Sequence, residues 1–168
     1  MNAGAHGGEI GPFVEEVELL DAGLEFVRRP GSACGFAYRT SGFRPGEILT
    51  GAWLRVPRGD AEAARLHLRE MRLQRRRTQP IGQPNAGSIF KNPPGDYAGR
   101  LIEACGLKGR RRGDAEISVL HANFIVNLGA ATASDVVGLA AEARAAVAAR
   151  FGVELEWEVK RIGPGLQV

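Results

Sequence analysis

FIVNLGAATASDVVGLAAEARAAVAARFGVELEWEVK, residues 124–160, carries the clearest structural pattern in the sequence. Phe124–Asn127 is a short apolar run of the kind a buried strand shows. Thr132 with Asp135 resembles a capping box, with Asp in place of the usual Glu or Gln. In the helix this predicts, Val136, Ala140, Ala143, Val147 and Phe151 share one face, and Gly152 ends it. Beyond it the chain alternates strictly. Val153, Leu155, Trp157 and Val159 point one way, and Glu154, Glu156, Glu158 and Lys160 the other. A strand, a helix and a second strand in that order predict a small α+β unit.

Working outward, Gly87–Phe90 reads as a short strand and Ala98–Cys105 as a short helix closed by Gly106 at its C′ position. Thr78–Asn85, with Pro80, Gly82 and Pro84, is the linker that the composition suggests. Upstream, Pro57-Arg58-Gly59-Asp60 is a turn, with Asp60 placed to cap a helix from about Ala61 to Arg76. Its apolar positions Ala64, Leu68 and Met71 fall at helical spacing, with arginines between. Ile48–Val56 reads as a strand containing Trp53, after a loop with Gly31, Gly35, Gly42 and Gly46. Val14–Leu20 and Leu24–Arg28 are apolar-rich segments joined by Asp21-Ala22-Gly23, a hairpin signal. The opening MNAGAHGGEIG is a Gly-rich turn with no strand before it, and it reads like the middle of a folded domain.

The composition bounds the function. With 44% hydrophobic and 24% charged residues in 168, the chain reads as an ordinary soluble globular protein. A net charge of +3 suits a phosphate-bearing ligand as well as nucleic acid. Cys34 and Cys105 make neither a disulfide framework nor a metal site, and a reduced cytosolic setting is the simplest reading. No apolar run reaches the ~20 residues of a membrane helix, and no membrane partner is expected. The N-terminus lacks the basic and apolar regions of a signal peptide. Two basic clusters, Arg72 with Arg75, Arg76 and Arg77, and Lys108 with Arg110, Arg111 and Arg112, could serve a small RNA-binding protein. Yet 19 acidic residues balance 22 basic ones and no aromatics interleave with the arginines, so no nucleic-acid partner is expected. His6, His67 and His121 are too scattered to argue for a metal.

Three places could carry chemistry. Gly87-Ser88-Ile89-Phe90-Lys91-Asn92-Pro93 puts a hydroxyl, an ammonium and an amide close together, able to hold an anion and supply a proton. The plainer reading is a polar strand end, since Ser, Asn and Pro are common turn formers. Arg39 in Phe36-Ala37-Tyr38-Arg39-Thr40-Ser41 could clamp a carboxylate, or be a solvated surface arginine. Glu158 shares its face with Glu154 and Glu156, and the spacing alone does not single it out.

MNAGAHGGEIG, GFAYRTSGF, NAGSIFKNPPGDYAGRLIEACGLKG, AEISVLHANFIVNLGAATASDV and FGVELEWEVKRIG, in this order and spacing, resemble successive motifs of the UDP-N-acetylenolpyruvoylglucosamine reductases. The resemblance covers nearly the whole chain. The short connection between GFAYRTSGF and Ile48 is similar to the family's shorter subtype. It implies an α+β protein in which residues 1–79 are the tail of an FAD-binding domain and 80–168 a substrate-binding domain. The family's first flavin-binding subdomain, with a loop that cradles the FAD pyrophosphate, would lie upstream of Met1, so the resemblance implies a shortened chain.

The implied activity is NADPH-dependent, FAD-mediated reduction of UDP-N-acetylenolpyruvoylglucosamine to UDP-N-acetylmuramate for peptidoglycan, by a cytoplasmic monomer. Ser88 matches the serine that protonates the intermediate. Arg39 and Glu158 match the residues that stabilise it. Gly4 and Arg75 match flavin contacts. Asn92, His121 and Lys160 match positions lining the UDP-sugar site. His6 stands where the family usually has Tyr, and Thr78 where a substrate-binding Lys is common, so Arg76 or Arg77 could supply that charge. A non-catalytic remnant that still binds a UDP-sugar is the alternative.

Overall fold

The computed structural model describes residues 1–5 and 7–163. They fall into two compact units, Met1–Asp60 and a second beginning at Ala61. The fold is mixed α and β, as expected.

In the first unit, β1 (Gly4–Ala5) and β2 (Gly8–Glu9) form a small antiparallel pair. The hairpin signal is realised as β3 (Val14–Leu20) and β4 (Phe26–Pro30), and β5 (Ile48–Leu54) completes an antiparallel sheet of order β4-β3-β5. Asp21 builds the hairpin loop, its carboxylate accepting from the backbone N–H groups of Gly23 and Glu25. Leu24, not the neighbouring Gly23, takes the left-handed conformation there, with φ 63°. One sheet face buries Val17 and Leu19 against Cys34, with Val27, Phe36 and Phe43 packed around them. The other face is polar: Arg28 reaches Glu16 at 3.4 Å and lies 4.5 Å over the Trp53 ring. The Gly-rich loop after β4 is held from within. Arg29, on the inward face, makes a two-pronged ion pair with Glu47 at 3.1 and 2.5 Å, and Glu47 also accepts from the Arg44 backbone N–H.

The second unit opens with α1 (Ala61–Thr78). The boundary between the two compact units lies before this helix. None of the residues of α1 is buried, so Ala64, Leu68 and Met71 commit it to neither core. The helix also runs through Thr78, leaving residues 79–84 as the loop of the expected linker.

The remaining elements are β6 (Asn85–Gly87), α2 (Ala98–Ala104), β7 (Arg111–Arg112), β8 (Ala115–Ile117), β9 (Phe124–Asn127) and α3 (Ala133–Phe151). The strands make an antiparallel sheet of order β6-β9-β8-β7. Leu139, Ala140, Ala143 and Val147 of α3 pack into a core with Ile117, Ile125, Leu101, Ile102, Ile89 and Phe90. Phe151, expected on that face, is largely out of it. The capping box is present in full: Thr132 Oγ1 accepts from the Asp135 N–H and the Asp135 carboxylate accepts from the Thr132 N–H. Gly152 closes α3 at φ 66°.

Two strand expectations need correction. Gly87–Phe90 is not a strand: β6 ends at Gly87, because Gly87 already pairs with Phe124, the first residue of β9. Residues 153–160 are extended but not a regular strand, with one isolated bridge, Phe90 to Trp157. The alternation is real as burial, since Leu155 is 1% exposed and Val153, Trp157 and Val159 pack against the core. The segment facing it has left the ladder after Gly87, so few backbone partners remain.

Candidate functional site

The second unit has a cavity of about 440 Å³. Its lining includes Ser88, Asn92 and His121, three of the residues singled out in the sequence, together with Tyr97, Gly99, Arg100 and Asn123. They come from three separate segments, and backbone and amide bonds hold these in place.

Asn123, only 2% exposed, is the hub. Its backbone carbonyl accepts from the Ile89 N–H at 2.9 Å. Its side chain accepts from the Phe90 N–H at 3.0 Å and donates to the Phe90 carbonyl at 2.8 Å. The next rung is shared with Glu158, whose backbone N–H donates to the Ile89 carbonyl at 2.9 Å. Ile89, the residue after Ser88, thus bonds both Asn123 and Glu158 through its backbone, while Glu158 itself is not among the residues lining the cavity. Glu158 is half-buried, whereas Glu154, Glu156 and Lys160 are exposed. Structure, not spacing, separates Glu158 from its neighbours. Lys160 does not line the cavity.

Asn92 accepts from the Ala98 N–H at 3.1 Å, satisfying a donor at the start of α2. The charged side chains at the cavity are occupied nearby. Arg100 pairs with Asp96, and that guanidinium holds the Asp96 carboxyl down to about 2. Glu103 pairs with Lys108 at 2.7 Å. Burial pushes the His121 imidazole below its usual range, with Lys108 adding to the effect. Gln79, which also lines the cavity, accepts from Arg75 Nε at 2.8 Å, while Thr78 is turned back to the Gln74 carbonyl.

Gly4 and Arg39 belong to the first unit. A Cβ on Gly4 would stand 2.6 Å from the Gly8 carbonyl and 3.3 Å from Arg39 Nη1, so only glycine fits. Arg39 sits at the tip of a tight turn closed by paired Ala37–Thr40 bonds, with φ 52°, a conformation a non-glycine residue adopts at a cost. A cavity of about 470 Å³ in this unit is lined by Asn2, Glu9, Gly11, Gly31, Gly35 and Phe36, among others. The expectation for His6 falls outside the described residues.

Asn123 and Gly99 were not apparent from the sequence. The available signal for Asn123 was a lone amide within the apolar run Ala122–Val126. Among the described residues no group of His, Cys, Asp and Glu could hold a metal ion, and no helix is long and apolar enough to cross a membrane.

The second unit thus presents a cavity braced by amide and backbone bonds on an α+β frame. Residues 79–162 match the family of the UDP-N-acetylenolpyruvoylglucosamine reductase C-terminal domain. The chain belongs to the UDP-N-acetylenolpyruvoylglucosamine reductase family. It is 50% identical to the reductase of Anaeromyxobacter sp. strain K over 97% of its own length and 49% of the relative's. It is 49% identical to reductase 2 of Symbiobacterium thermophilum, over 95% of its length and 52% of that protein. The crystal structure of the Thermus caldophilus reductase superposes with a TM-score of 0.78 at 42% identity, covering 94% of this chain and 56% of that one. The chain spans about half the length of the curated relatives it matches.

Proposed function

We propose that the chain provides the substrate-binding domain, and part of the flavin-binding domain, of an enzyme that reduces UDP-N-acetylenolpyruvoylglucosamine. The observation that carries this reading is the gathering of Ser88, Asn92 and His121 around one cavity of about 440 Å³ in the second unit. The relatives' shared name supplies the substrate.

FAD is the cofactor this reading assigns to the first unit, whose cavity of about 470 Å³ is lined by Gly11, Gly31 and Gly35, although a Cβ on Gly4 or Gly11 would meet the chain's own atoms and not open space. When bound, it supplies hydride drawn from NADPH. The chain's own residues then have distinct tasks. Ser88 gives a proton to the carbon alpha to the carboxylate. Arg39 and Glu158 stabilise the charge that builds up before that proton arrives. Gly4 and Arg75 serve the flavin. Asn92, His121 and Lys160 serve the UDP-sugar, Lys160 from an exposed position. The domain roles remain 1–79 for the flavin and 80–168 for the substrate. A cytoplasmic monomer is the setting this reading implies.

Calorimetric titration with UDP-N-acetylenolpyruvoylglucosamine tests the site. Asn92→Asp keeps the acceptor that caps α2 but adds a negative charge opposite a diphosphate. Weaker binding in this variant is the expected result. Unchanged affinity, or no binding by the parent chain, overturns the reading.

A further inference from the structure

His121 is held more closely than a side chain that merely lines a cavity needs to be. The Asn123 backbone N–H donates to its Nδ1 at 3.2 Å. Asn123 is buried, and a buried backbone donor must have an acceptor. A nitrogen that accepts carries no proton, so a neutral ring must carry its proton on Nε2. Protonating Nδ1 as well would break that bond and place a cation near Lys108, although Glu103, paired with Lys108, offsets part of that charge. The ring is also fixed in orientation. A Cβ on Gly99 would stand 2.8 Å from Cε1, so the ring lies directly against the α2 backbone. Phe124 meets it edge-on, with ring centroids 5.0 Å apart. Nε2 makes no hydrogen bond among the described residues, and His121 lines the cavity.

We propose that His121 serves this cavity as a neutral imidazole with its proton locked on Nε2, donating a hydrogen bond to an acceptor oxygen of the bound nucleotide sugar. The proposal rests on the reading of the cavity as the UDP-sugar site. It adds the chemical form of the residue and what that form selects. A fixed donor favours an oxygen acceptor at that position and opposes another donor, and it does so without adding charge to a cavity whose arginine and glutamate are already paired.

The test uses the ¹⁵N-labelled chain and UDP-N-acetylglucosamine. Long-range ¹H–¹⁵N spectra report which ring nitrogen is protonated, and His121→Asn identifies the His121 signals among the three histidines. The expected result at neutral pH is a proton on Nε2 alone, with Nε2 shifted when the probe is added. A proton on Nδ1, or on both nitrogens, overturns the lock. If the probe shifts the Ser88 and Asn92 amides but not Nε2, the donor role is wrong while the cavity reading stands. If it shifts none of them, both fall. His121→Phe, which keeps a ring but no donor, is expected to weaken the probe about tenfold or more. His121→Asn, which retains an N–H, should lose less, and equal losses count against the proposal.

Discussion

The two units solve the same problem with different means. The second buries a continuous apolar cluster from two helices and a four-stranded sheet. Among the described residues, the first buries only Val17, Leu19 and Cys34 as its apolar core, and relies on an inward ion pair and on glycines where backbones nearly touch. A unit with a large core can hold an exposed polar cavity in place. A unit with a small one is specified by a few polar staples and close approaches, each of which is separately fragile. The comparison also explains why the proton donor of the proposed reaction would sit on the better-packed side.

The largest expected effect tests that division of labour. Where turnover of UDP-N-acetylenolpyruvoylglucosamine by NADPH is measured, Ser88→Ala should lower it about 10²–10⁴-fold, the usual cost of losing a positioned general acid. Its melting temperature should stay near the parent's. Turnover within a few-fold of the parent would leave Ser88 a turn residue.

Next is Leu139→Ala, at a fully buried α3 position, which should cost about 2–5 kcal/mol. Amide exchange should quicken in β9 and α3 and remain unchanged in β3. Equal quickening in β3 would mean that the units do not keep separate cores. Gly31→Ala is the counterpart in the first unit. A methyl there would overlap the Val14 carbonyl, and overpacking of this kind costs about 1–3 kcal/mol. Its exchange signature should be confined to β3, β4 and β5.

Thr132→Ala removes the acceptor of the capping box and should cost about 1 kcal/mol in chemical denaturation, with the loss centred on the first turn of α3.

The smallest effect is with pH. His121 has a lowered value in the folded chain, so the unfolded chain binds its proton first as pH falls. That contribution is complete above the ordinary 6.5 and is lost between there and the lower folded value. Glu47, held below its ordinary 4.5 by Arg29, contributes above 4.5 and loses that contribution as pH falls through its folded value. Mild acid should therefore soften the second unit first, in a step that His121→Phe removes, and stronger acid the first. The reverse order by pH-dependent exchange would break the comparison.

What the sequence made legible was local. Asp21, Thr132 with Asp135, and Gly152 act on backbone groups a few residues away, and all three turned out as read. The alternation at 153–160 announced which side chains are buried, but not whether a partner ladder existed to make a strand. Helix α1 showed a helical period without a core to belong to. The grouping of Ser88 with Asn92 was legible in their spacing, but His121 reaches the same cavity only because Asn123 ties its segment to Ile89 and Phe90, which no local pattern announces. Arg29 facing inward was equally hidden, since its partner Glu47 lies across the Gly-rich loop.

One close approach has a consequence for how such sequences can diverge. Gly87 lies against the face of the Phe124 ring, where any Cβ would collide with it. The two positions therefore cannot drift independently. A side chain can enter at 87 only after the ring at 124 has shrunk, and a smaller residue at 124 opens a void beneath β6 until 87 is filled. The neutral route between the two states is narrow, and relatives that differ at one of these sites should differ at the other.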